Sequence, residues 1–202
     1  MQPTEAPTSI FRLLALLTVP VMRHAFRLDS AGREHLPQGG FVLCANHLSG
    51  FDPWALSEPL YPRQPRFMTK AEAFRPPFRT LLSAIGVFPV RRNTACVEAI
   101  RTAVGHARAG RVVIVFPEGS RRRREKQPDS PRGGAALIAL LAGVPLVPAA
   151  VAGTNRIGEP WRVLFGPAIA LDDLETRPRA AAARQATERL WQQVTLLEEL
   201  VA

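Results

Sequence analysis

The sequence predicts an α/β fold: a single domain with a mostly parallel central sheet flanked by helices. Three observations carry that expectation. Short apolar runs, "FVLCA" at 41–45 and "VVIV" at 112–115, offer no polar residue to either side of the pleat, as strands buried on both faces require. Segments with helical periodicity lie between such runs. Polar clusters follow directly on the runs, where parallel sheets carry their active sites.

In chain order, "SIFRLLALLTVPVM" at 9–22 is apolar but holds Arg12 and Pro20. It is short of the roughly 20 residues a membrane span takes, and reads as an interfacial helix, the alternative being a helix packed on the protein's own core. "MQPTEAPT" ahead of it lacks the basic leader of a secretory signal. We therefore expect a membrane-associating segment at 1–27 and the α/β domain at 28–202. "FRLDSAGREHLPQGG" alternates and then turns, and "FVLCA" follows as a strand. Pro53 suits the first position of a helix. "PRFMTKAEAF" reads as a strand entering a loop, "FRTLLSAI" as a helix stopped by Gly86, and "VFPVRR" as a short strand. Residues 94–109 form an amphipathic helix with Val97, Ile100 and Val104 on one face, ended by Gly110. "RVVIVFPEG" is the clearest strand, and the polar run from Ser120 is a loop, the best candidate for a mobile segment. "AALIALLAG" is a helix of small residues, "VPLVPAAVAG" a buried strand, and "WRVLFGPAIAL" one or two late strands. The terminal helix at 177–202 carries Leu190, Val194 and Leu197 on one side.

Composition bounds the function. The 202 residues are 47% hydrophobic and 21% charged, enough for a real core. Lys and Arg number 26 against 17 Asp and Glu, a formal charge of +9 that attracts polyanions of any kind. Seven per cent aromatic residues with one Tyr do not suggest a base-stacking platform, so nucleic acid is not an expected partner. Four scattered histidines and two distant cysteines give no metal-ligand spacing, and there is no phosphate-loop or dinucleotide fingerprint. No metal and no cofactor is expected.

Three polar clusters remain, each at the carboxyl end of an expected strand. Asn46, His47 and Asp52 follow "FVLCA"; Arg91 and Arg92 follow "VFPV"; Glu118, Gly119, Ser120 and Arg121 follow "VVIVFP". An imidazole can take a proton from a hydroxyl near neutral pH, and a carboxylate on its other nitrogen fixes the tautomer. The turn at Ser49 and Gly50 lets Asp52 fold back onto His47. Asp52 before Pro53 equally suits a helix cap, and the two roles are compatible. No GxSxG elbow is present, and Ser49 is poorly spaced to pair with His47, so a nucleophile would come from the substrate. Gly119 permits close approach of a ligand, Glu118 can hold hydroxyls, and Arg121 and Arg91 offer forked donors to phosphate. Lys70 is a further cation at a strand end. Arg122, Arg123 and Arg124 suit solvent or anionic lipid.

These residues together resemble the glycerolipid acyltransferase family of the 1-acylglycerol-3-phosphate acyltransferase type. Its first block, Asn-His, four residues, Asp, stands here as Asn46, His47 and Asp52. The second stands as "GVFPVRR", residues 86–92. The third, Phe-Pro-Glu-Gly-(Ser/Thr)-Arg, is complete from Phe116 to Arg121. The fourth stands as "VPLVPAAVAG", residues 144–153, and the four occur in family order over roughly residues 28–170. Leu48 occupies a position often basic in the family, and Arg132 stands where Lys-x-Gly is common.

The resemblance implies an O-acyltransferase. His47 would deprotonate the free hydroxyl of a lysophospholipid, whose oxygen attacks the thioester of acyl-CoA or acyl-carrier protein. Asp52 would orient His47. Asn46, Lys70, Arg91, Glu118, Gly119, Ser120 and Arg121 would bind substrate, the arginines on phosphate. The expected partners are an anionic membrane surface, the lysophospholipid and the acyl donor; the expected place is the cytoplasmic face of the cell membrane, peripheral or monotopic. Other acceptors (glycerol phosphate, a lyso-aminolipid, a glycolipid) and an idle membrane-binding module on the same fold are the alternatives.

Overall fold

A computed structural model describes residues 8–90, 96–119, 131–174 and 178–202, with the backbone alone of Lys70, Ala73 and Cys96. The elements run α1 (Ser9–His24), β1 (Asp29–Ala31), β2 (Phe41–Ala45), α2 (Asp52–Ser57), β3 (Arg66–Lys70), α3 (Phe78–Ala84), β4 (Val87–Val90), α4 (Cys96–Arg108), β5 (Val112–Val115), α5 (Gly134–Ala142), β6 (Leu146–Ala152), β7 (Arg162–Phe165) and α6 (Arg179–Val201). The seven strands form one sheet in the order β1-β7-β6-β2-β5-β3-β4. Every pairing is parallel except β6 with β7.

The apolar runs become the centre of the sheet because only there are both faces covered. β2 and β5 are buried along their whole length. Val42 and Cys44 point to a layer built by Ala103 and Ala107 of α4, Ala135 and Ile138 of α5, and Leu190 and Val194 of α6. Phe41, Leu43 and Ala45 point the other way, to a layer with Met22 of α1, Leu56 of α2, Trp161 and Phe165. Gly86 and Gly143 end α3 and α5 at φ +92° and +66°, left-handed conformations that glycine adopts without a Cβ penalty.

Two details differ from the sequence reading. Val97 of α4 is exposed, whereas Ile100 and Val104 pack inward as expected, joined by Ala99, Ala103 and Ala107. Three alanines widen the buried face beyond the aliphatics, and Val97 at the helix start falls outside it. Asp52 is the first residue of α2, with Phe51 in the capping position and no side-chain cap bond. The Asp52 carboxylate is turned back toward the preceding loop.

The register sets the site. Cys44 lies beside Val115, and Ala45 beside Ala149. The carboxyl end of β2 therefore emerges between those of β5 and β6, flanked by the segment from Phe116 to Gly119 on one side and Gly153 and Thr154 on the other. Among the described residues no helix is long and apolar enough to cross a membrane. α1 buries Phe11, Ala15 and Met22 and turns Ile10, Leu13, Leu16, Leu17 and Val21 outward.

Candidate active site

Where the β2–β6 ladder runs out, the Asn46 side chain continues it. Its Nδ2 donates to the Val151 carbonyl at 2.9 Å, and its Oδ1 accepts the Val151 N–H at 2.7 Å. The amide thus acts as a peptide group would, and Asn46 is buried. Expected among the substrate-binding residues, it faces the fold and anchors the backbone from which His47 departs.

His47 Nδ1 lies 2.7 Å from Asp52 Oδ2. A carboxylate only accepts, so the neutral ring carries its proton on Nδ1 and leaves the lone pair on Nε2. The ring stacks on Phe116, centroids 4.1 Å apart and planes at 16°, which restricts its rotation. The His47 side chain keeps 18% of its surface exposed, while that of Asp52 keeps none. A buried carboxylate must be hydrogen-bonded to be tolerated. Here Oδ2 also accepts the backbone N–H groups of Leu48 at 2.6 Å and Ser49 at 2.8 Å. Oδ1 accepts Thr154 Oγ1 at 2.5 Å and Ser49 Oγ at 3.3 Å. Its place in the first turn of α2 also favours negative charge.

The loop after β5 closes the other side. Glu118 Oε1 accepts the His47 backbone N–H at 3.3 Å, tying the two polar clusters together. Gly119 sits at φ +72°, and its amide donates to the Phe116 carbonyl at 3.0 Å. The Arg132 guanidinium lies against it: a Cβ on residue 119 would come within 2.7 Å of Arg132 Cζ. Arg132 is anchored through its own N–H to the Pro117 carbonyl at 2.9 Å.

The structure thus brings together His47, Asp52, Asn46, Glu118 and Gly119 from segments far apart in the chain. Lys70 is the last residue of β3, and only its backbone is described. Arg91, Ser120, Arg121 and the expected mobile run after them, through Asp129 and Ser130, lie outside the described residues. No three His, Cys, Asp or Glu side chains among the described residues gather as a metal site. Sequence reasoning missed Thr154. The signal was present: "GTN" follows the strand "VPAAVA", so Thr154 occupies the same carboxyl-end rim as the other clusters.

A family model described as Acyltransferase matches residues 27–152, which hold every one of these site residues except Thr154. The chain is 30% identical, over 82% of its length and 85% of theirs, to a 1-acyl-sn-glycerol-3-phosphate acyltransferase of Bacillus subtilis (strain 168). A 1-acyl-sn-glycerol-3-phosphate acyltransferase of Streptococcus pneumoniae is 32% identical over 56% of this chain and 42% of its own. Among solved structures, the fold matches the 1-acyl-sn-glycerophosphate (LPA) acyltransferase, PlsC, from Thermotoga maritima, with a TM-score of 0.67 at 22% identity over 93% of this chain and 80% of that one.

Proposed function

The chain belongs to the Acyltransferase family, and from that premise we propose that it acylates the free hydroxyl of 1-acylglycerol 3-phosphate, giving phosphatidic acid. The observation that carries this reading is the His47–Asp52 pair, held at 2.7 Å with Nε2 left as the basic nitrogen. The acceptor has one free hydroxyl. Nε2 takes its proton as the oxygen attacks the carbonyl carbon of the acyl thioester. Asp52 stabilises the imidazolium that forms. The tetrahedral intermediate collapses with cleavage of the C–S bond, the imidazolium returns its proton to the sulfur, and the free thiol departs. No acyl-enzyme, metal or cofactor takes part; the acyl donor is acyl-CoA or acyl-carrier protein as co-substrate.

Glu118, Gly119, Lys70, Arg91, Ser120 and Arg121 bind the acceptor, the arginines on its phosphate. The charge of +9 suits a doubly charged phosphate head and an anionic surface. Substrate and product are both lipids, so the protein works at a membrane surface, peripheral or monotopic, with the outward face of α1 in the interface; the proposed side is the cytoplasmic face. Glycerol phosphate, lyso-aminolipids and glycolipids are the competing acceptors within the class.

The test is to incubate purified protein with lysophosphatidic acid and labelled acyl-CoA or acyl-carrier protein, beside His47→Ala. Wild type forms labelled phosphatidic acid, and the variant loses about 10³-fold or more in kcat. Product at full rate from His47→Ala would refute the mechanism. Product only with another lysolipid would move the acceptor.

A further inference from the structure

We infer that Thr154 is a positioning residue for the reaction, holding the Asp52 carboxylate in the one rotamer that serves His47. The inference rests on the acyltransfer reading above, because it assigns Thr154 a part in that same site. Thr154 is buried, and its hydroxyl donates to Asp52 Oδ1 at 2.5 Å, 102 residues away in the chain. The other carboxylate oxygen serves His47 Nδ1. The two oxygens of Asp52 thus face two different groups, and a rotation about the carboxylate axis exchanges them.

The backbone amides of Leu48 and Ser49 meet only Oδ2 and come from the same short turn as His47. They move with that turn and cannot fix it to the sheet. Thr154 supplies the outside reference, since it stands just past β6, the strand bonded to β2. Asn46 bonds to Val151 on that same strand end. His47 is therefore held to the end of β6 twice, through its backbone by Asn46 and through its orienting carboxylate by Thr154. With the hydroxyl gone, the 3.3 Å contact from Ser49 Oγ is what remains on Oδ1 among the described residues, and Ser49 belongs to the same turn as His47.

Thr154→Val keeps the shape and removes the donor; Thr154→Ser restores it, and Thr154→Ala deletes the donor a second way should the valine not fold. Cooperative thermal melts establish folding for each. With lysophosphatidic acid and acyl donor, kcat falls about tenfold or more in the valine variant while KM for both substrates stays within about twofold, and serine recovers most of the rate. A second readout needs no turnover: the downfield Nδ1–H proton resonance of His47, identified by its loss in His47→Gln. It persists in wild type and Thr154→Ser and broadens or moves in Thr154→Val. An unchanged kcat in the valine variant, or an unchanged resonance, overturns the inference. If wild-type protein forms no phosphatidic acid, the acceptor reading fails, and the resonance alone decides the role of Thr154.

Discussion

At the residue scale the chemistry depends on where one proton sits. Nδ1 of His47 faces Asp52, and the stack on Phe116 keeps the ring from turning over. Asp52→Asn keeps the shape and, with its amide oxygen still facing the Leu48 and Ser49 N–H groups, removes the negative charge. The imidazolium that forms on His47 then has no carboxylate to stabilise it. We expect kcat to fall by about 10³- to 10⁴-fold with little change in KM, as for a triad that loses its orienting carboxylate. Steady-state kinetics on the folded variant check this; a KM-dominated loss would mean that Asp52 binds substrate. The pairing of His47 with Asp52 could be drawn from the sequence because a turn of five residues is local, but the same residues suited a helix cap until the downstream blocks were read with them. Thr154 was legible only as a polar residue past a strand end, since its bond to Asp52 exists only once β6 has paired with β2. Asn46 was legible as polar and well placed, but its amide geometry is a property of the strand end it completes.

At the scale of elements, the strands were readable because apolar runs with no polar face fit only the middle of a covered sheet. The inner face of α4 was read in part, with Ile100 and Val104 right and Val97 wrong, because the alanines that complete it carry the weakest hydrophobic signal. The turn after β5 shows how an element end serves the site. Gly119 combines a left-handed φ with a guanidinium where a Cβ would go. Gly119→Ala would strain the backbone by roughly 1–2 kcal/mol and push Arg132 aside. Arg132 is exposed and can yield, so the protein still folds. Glu118, one residue away, is bonded to the His47 amide and shifts with the turn. The expected outcome is a modest drop in melting temperature and a larger loss of kcat/KM for the acceptor. A variant with wild-type kcat/KM would show that the turn does not shape the pocket.

For the whole molecule, the question is how a lipid acceptor of the kind proposed would be met. α1 is fixed to the body at both ends. At the start, the Thr8 amide donates to Gln64 Oε1 at 3.0 Å, and the Thr8 hydroxyl and Gln64 Nε2 both donate to the Ala84 carbonyl. Near the end, Arg23 Nε meets Glu58, just past α2, at 2.5 Å. The Glu58 side chain is buried, so this contact is more than a solvent-exposed pair. The outward stripe of Ile10, Leu13, Leu17 and Val21 is therefore held in a set relation to α2, the helix that begins with Asp52. An apolar stripe on a cationic protein predicts binding to anionic vesicles by two separable contributions, burial of side chains and attraction to headgroups. In flotation assays the protein co-floats with vesicles containing phosphatidylglycerol and less so with zwitterionic ones, and salt weakens the first more than the second. Leu13→Glu with Leu17→Glu removes about 2 kcal/mol or more of apolar burial and adds two repelled charges, so binding drops by at least tenfold. The same variant should keep its rate on a short-chain lysophosphatidic acid dissolved below its micellar concentration, because α1 is anchored by polar contacts that neither substitution touches. Retained vesicle binding would move the membrane face elsewhere. A lost rate on the soluble substrate would instead mean that the stripe packs against the site or against another part of the protein.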